Sequence, residues 1–285
     1  MTTPDWPSPD DRPLESGAAA EARMRTLTRR SILWSAGAIG LSWFTIHRSA
    51  TSPIAESDGI PGQLRMVLKL NEKAARGIYR EDRMSPQFAA STAVELKTNG
   101  GYGLDGEIDE SSHKILVRGL HNMSQAVPQD GDEPAVEITV SQIKGLKPYT
   151  IVTEHKCIEG WSAVVQWKGA RLRDLIVALG PATISGAEPE IYKRQNDLMP
   201  YVAMETPDGS YYVGLDMESA LHAQTLLCYE MNGKPLTTEH GAPVRLAIPI
   251  KYGVKCIKRI GLIRFTRERP KDFWAERGYD WYAGL

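Results

Sequence analysis

Cysteine is scarce in this sequence: the 285 residues contain three, Cys157, Cys228 and Cys256. The count is odd and no two stand in a CxxC pair, which argues against a disulfide framework and against a structural zinc site. One pair plus one free thiol stays open for an exported chain. No haem-attachment or iron–sulfur spacing occurs either. Charge of one sign is also lacking, for the formal net charge is −1. Bulk electrostatics therefore point to neither nucleic acid nor an acidic surface as partner. An apolar run of membrane-spanning length is missing too. The uncharged stretch SILWSAGAIGLSWFTI covers sixteen residues, 31–46, short of the ~20 that a spanning helix needs.

What is present divides at about residue 60. Residues 1–22 are rich in Pro, Asp, Ser and Ala without periodicity and read as disordered. Arg23, Arg25, Arg29 and Arg30 then precede the apolar stretch, the layout of an export signal. TRRSIL resembles a twin-arginine signal, with Trp34 where Lys is usual. Residues 1–55 thus form a disordered n-region plus a signal or anchor. Cleavage after the SPIA that ends at Ala55, or retention as an anchor through 31–46, are the two outcomes left open. Either places the folded part outside the cytoplasm, in the periplasm or beyond.

Residues 60–285 read as a single domain. Helical spacing runs over 63–80 and over LRDLIVALG, which Gly180 and Pro181 end. Short β-rich runs occupy KILVRGL, AVEITV, PYTIVTEHKC, YVAMET, YYVGL, TLLCYEM, VRLAIPI and CIKRIGLIRF. PDGS marks a turn, and Asn232-Gly233 a tight hairpin. Many short strands with few short helices give the α+β class with mixed sheets.

Within TEHKCIEGWS, Cys157 follows a buried-strand pattern. From these residues alone it is a structural thiol, half of a disulfide, a nucleophile or a metal ligand. Lys156 and His155 beside it favour the thiolate, whereas Cys228, in LLCYEM, packs as a small hydrophobe. Residues 251–271 hold eight Lys or Arg and one acid, Glu268. This suits an anion, although beyond Lys258 the run reads as a solvated face. Asp174 and Glu218 fall on helix faces, and His155 and His222 lack partners at metal spacing. All four read as structural. Trp161, Trp167 and the tail FWAERGYDWY read as core or surface, with a pocket role as the rival.

HKCIEGWS, WKGARLRDLI and CYEMNGKPLTTEHGAPVRLAIPIKYGVKCIKRIGLIRFTRERP together resemble the molybdopterin-binding domain of the sulfite oxidase superfamily. They come nearest the bacterial periplasmic branch that includes the protein-methionine-sulfoxide reductase catalytic subunit. The resemblance covers about residues 95–275 and implies the sulfite-oxidase-type molybdopterin-binding fold with a molybdenum-molybdopterin cofactor. Cys157 is then the thiolate ligand of the metal. His240 and Arg245 match pterin- and phosphate-binding positions; Cys256, Ile257 and Lys258 match the stretch that cradles the phosphate. Asn99, Tyr102 and Gly103 in KTNGGYGLDG, and Thr206, match positions lining the pocket. The branch usually has Asn at the place of His240 and a small residue at that of Cys256.

The implied activity is two-electron oxygen-atom transfer, reducing an S-oxide or N-oxide such as methionine sulfoxide. Glu159 beside the ligand cysteine would repel sulfite unless Lys156 and Lys168 point inward. Oxidation of sulfite or another small molecule, and a cofactor-free binding domain, are the alternatives. The resemblance also implies a haem-containing membrane electron-transfer subunit fed by the quinone pool, and the twin-arginine export machinery, as partners.

Overall fold

The computed structural model describes residues 62–78, 83–123 and 134–285; the signal and anchor readings lie outside them. Helix α1 (Gly62–Ile78) comes first, then β1 (Lys114–Arg118), β2 (Ala135–Thr139) and helix α2 (Val140–Gly145). The long hairpin of β3 (Pro148–Lys156) and β4 (Ser162–Arg171) leads into α3 (Leu172–Leu179). Strands β5 (Tyr201–Glu205) and β6 (Tyr212–Asp216), helix α4 (Met217–Leu221), β7 (Leu226–Met231), β8 (Lys234–Pro235), β9 (Arg245–Ala247) and β10 (Leu262–Thr266) complete the order. Residues from Met66 to Leu285 form one compact unit. Among the described residues, no helix is long and apolar enough to cross a membrane.

The class is α+β, with two five-stranded sheets. One runs β2-β1-β10-β5-β6 and is mixed, because β1 and β10 pair in parallel while its other pairs are antiparallel. The other runs β3-β4-β7-β8, with β9 on β7, and is antiparallel throughout. Ile115, Val117, Ile263, Met204 and Leu215 of the first sheet share a core with Leu172 and Ile176 of α3. Ile151, Val165, Trp167, Leu226 and Cys228 form a second cluster on the antiparallel sheet. Cys228 is fully buried there, as the apolar pattern around it requires. Asn232 and Gly233 both take positive φ, 51° and 75°, the geometry a two-residue hairpin needs.

Two expectations fail in the basic C-terminal run. VRLAIPI and CIKRIGLIRF contribute only β9 and β10, and 256–261 is irregular. Its amides bond across chain segments instead of within a ladder: Arg259 N–H donates to Gly241 O at 3.2 Å, and Ile257 O accepts from Leu246 N–H at 2.9 Å. Nor is the run solvated just beyond Lys258. Arg259 is buried, donating to Ala242 O at 3.1 Å and Asp105 O at 3.0 Å. A guanidinium has five donors, so backbone carbonyls can hold it inside without an acid.

A buried ion pair fastens the C-terminal segment to the mixed sheet. Lys255 Nζ lies 2.5 Å from Asp272 Oδ2 and donates to Gly214 O at 2.9 Å. Asp272 also accepts from Gly214 N–H and Ala275 N–H. Asp272→Asn should destabilise the fold by about 3–5 kcal/mol, because it leaves a buried ammonium without its counter-charge. Denaturant unfolding of the two proteins measures this.

Candidate active site and cofactor cavity

Strand β3 ends at Lys156, and the chain turns at once. Cys157 N–H donates to Trp161 O at 2.9 Å and Gly160 N–H to Cys157 O at 3.2 Å, with Gly160 at φ 86°. This turn, the Gly-rich loop from Asn99, the irregular run 253–258 and the aromatic C-terminal segment enclose a cavity of about 360 Å³. Six of the expected residues meet on its wall: Asn99, Tyr102, Cys157, Arg245, Cys256 and Lys258. The other four do not line it. Gly103 packs on Thr206, where a Cβ would come within 2.3 Å of the threonine methyl. Thr206 itself shapes the PDGS turn, its hydroxyl meeting Asp208 Oδ1 at 2.6 Å. Ile257 is core, and the His240 carbonyl accepts from Arg245 Nη1 at 3.0 Å.

The thiol is nearly covered, and burial raises its pKa above the usual range. The Glu159 carboxylate adds to the rise; the N–H groups of Glu159 and Ile158 and the Asn99 amide, 3.6 Å from Sγ, oppose it. The expected help from Lys156 and His155 is absent. Lys156 reaches back to Glu154 at 3.5 Å. Burial, then the charges of Arg245 and Lys258, push the His155 imidazole down to about 3, so it is neutral. The thiol therefore holds its proton until a soft metal displaces it.

Arg245 is 2 % exposed, and its electrostatic neighbours are Cys256, Cys228 and Tyr211 rather than a carboxylate. It lies over the Trp167 ring at 4.7 Å and donates to the carbonyls of His240 and Cys256. Its Nε has no partner. Lys258 donates to Asn99 O at 2.6 Å. A buried cation without an anion is costly, and here buried Arg245 shares one cavity with partly buried Lys258 and a thiol. The arrangement fits an anionic group that brings a phosphate for the cations and a soft metal for the sulfur. Among the described residues no three His, Cys, Asp or Glu converge on a metal position. A metal at Cys157 must accordingly bring most of its ligands with it, as a dithiolene-bound metal does.

His155, read from the sequence as structural, also lines the cavity, as do Trp274 and Tyr279 of the aromatic tail, for which a pocket role is the rival reading, and Tyr211, which sequence reasoning passed over. For His155 a signal existed: it stands two residues before Cys157, near the end of the strand that leads to it. Gly253 permits its close fit, since a Cβ there would lie 2.6 Å from His155 Nε2. Tyr211 is fixed by donation to Val254 O at 2.6 Å, a contact no local pattern announces.

Lys258 supplies a pH test. Burial, then Arg245, lower its pKa to about 8, with Glu239 opposing. The ammonium is present below that value and lost above it. Affinity of the cofactor-free protein for pyrophosphate should therefore fall as pH rises from 7 to 9. Lys258→Met should bind more weakly at pH 7 and show no such decline, as titration calorimetry would record.

The family model described as "Oxidoreductase molybdopterin binding domain" matches residues 108–274. A protein of Azospira oryzae assigned as protein-methionine-sulfoxide reductase subunit YedZ1 is 26% identical over 81% of this chain and 79% of its own length. The catalytic subunit MsrP of Campylobacter jejuni is 31% identical over 67% of this chain, and that of Xanthomonas campestris 34% over 61%. The chain spans 66% and 53% of those two proteins. The sulfane dehydrogenase SoxCD of Paracoccus pantotrophus superposes on 57% of this chain and 40% of its own with a TM-score of 0.44 and 17% identity, too little overlap to argue from. The family match extends over more than half of the sequence, and on that ground the protein belongs to the sulfite oxidase family of oxidoreductases with a molybdopterin-binding domain.

Proposed function

We propose that this oxidoreductase works outside the cytoplasm, reducing an S-oxide or N-oxide such as methionine sulfoxide by two-electron oxygen-atom transfer. The observation that carries the choice of substrate is Glu159. It lies on the cavity wall two residues from the thiol, held by Trp161 Nε1 at 2.8 Å. The two lysines able to offset it are engaged elsewhere, Lys168 with Glu230 at 2.8 Å and Lys156 with Glu154. A dianionic oxyanion such as sulfite meets repulsion there, and a neutral S-oxide does not.

Cys157 would hold the metal, while Arg245 and Lys258 would hold the anionic end of the cofactor, with Asn99 orienting the sulfur. Molybdenum bound in this way supplies the two-electron exchange of an oxygen atom. The chain's own part is to bind, orient and shield. Tyr102, Tyr211, Trp274 and Tyr279 line the cavity with aromatic surface, and neutral His155 presents an imidazole without adding charge. Reduction of one S-oxide consumes two electrons and two protons and releases water. The sequence has no haem or iron–sulfur motif, so the electrons come from a partner. The family resemblance points to a haem-containing membrane subunit linked to the quinone pool. Twin-arginine export suits a protein whose cofactor is inserted before transport.

Protein from a molybdenum-replete host should contain about one molybdenum per chain, and Cys157→Ser should contain little. Reduced viologen should then turn over methionine sulfoxide with the wild type. Folded protein without molybdenum, or turnover of sulfite alone, would sink the reading. Glu159→Gln should strengthen inhibition by sulfite about tenfold, the order of one partly screened charge contact, as steady-state inhibition constants would show.

A further inference from the structure

Helix α1 is inverted. Two of its charged side chains face the protein: Glu72 meets Arg269 at 2.5 Å and Arg76 at 3.1 Å, and Arg76 also approaches Asp216 at 3.9 Å and lies over the Tyr282 ring. Its apolar side chains face outward, with Met66 58%, Leu70 58% and Ile78 63% exposed, and Val67 and Ala74 exposed beside them. At 100° per residue these five fall within one arc of roughly 120°. Lys69 and Lys73 are exposed along one flank, whereas the acid Glu72 is turned inward. A surface helix ordinarily shows the opposite arrangement. Its inward charges are satisfied by ion pairs, and among the described residues none covers the outward apolar face.

We infer that this arc lies on a phospholipid membrane surface carrying anionic headgroups. Its residues are flexible aliphatics with no aromatic or arginine anchor of the sort that dominates protein interfaces. Its exposed charges are both lysines, whose stems extend along apolar surface while the ammonium reaches headgroup phosphate. The helix is not a span, and a surface-lying helix is the alternative. Fifteen residues separate the uncharged segment 31–46 from Gly62, so the same stretch of sequence holds a second lipid-compatible element. Ala74 and Ile78 also border a cleft of about 860 Å³, which Met84 and Phe88 continue. That cleft shares Ile158, Val254 and Tyr279 with the cavity of Cys157. A bilayer against α1 sets the mouth of this cleft at the membrane.

The test uses the full chain with Leu70→Cys labelled by bimane, since the three native cysteines are buried. Labelled Lys193→Cys, at a highly exposed position on a loop, is the reference. Both are mixed with phosphatidylcholine–phosphatidylglycerol vesicles whose acyl chains are brominated. The label at 70 should lose at least half of its fluorescence, the label at 193 almost none. Lys69→Gln with Lys73→Gln should reduce the loss severalfold. Equal, slight quenching at both positions in vesicle-bound protein overturns the inference. If the label at 70 is instead shielded in lipid-free protein that sediments as a dimer, the arc belongs to a second copy of the chain and the inference fails equally.

Discussion

A guanidinium buried without an acid is the constraint around which this molecule is organised. Arg245 sits on β9, with its guanidinium over the ring of Trp167 on β4 and tied to the carbonyls of His240 and Cys256. Those contacts fix its position but leave its charge uncompensated. The charge lies beside a space that an anion can enter, the cavity that Cys157 also lines. Lys258 and His155 respond to the same field, both losing affinity for protons partly because Arg245 is near. Fold and site therefore meet at one side chain.

The sheets serve this arrangement in different ways. The antiparallel sheet delivers chemistry, with Cys157 at the end of β3 and Arg245 at the start of β9. The mixed sheet supplies rigidity and holds the C-terminal segment through Lys255 and Asp272, which keeps Trp274 and Tyr279 over the cavity. The loop carrying Asn99 and the run carrying Lys258 close the remaining side.

Much of this was legible beforehand wherever a local rule governs. An apolar run marked β3, a Gly-Pro pair ended α3, and the Asn-Gly dipeptide announced a tight hairpin. Cys157 was singled out by spacing shared with a known family, and the structure places it on the cavity wall. What escaped depends on contacts distant in sequence. Arg259 reads as a solvated cation until the carbonyls of Ala242 and Asp105 are seen around it. Gly103 and Thr206 suit a pocket wall, yet each occupies the other's space instead. The inverted polarity of α1 was equally hidden, since periodicity shows that a helix has two faces without saying which one is turned inward.

Asn99 has a consequence for assembly. Its side-chain amide touches the Cys157 sulfur while its backbone carbonyl holds the Lys258 ammonium. One residue thus touches both the sulfur proposed to hold the metal and the lysine proposed to hold the anion. On that assignment a displacement of the Asn99 loop would be felt at both ends of the cavity.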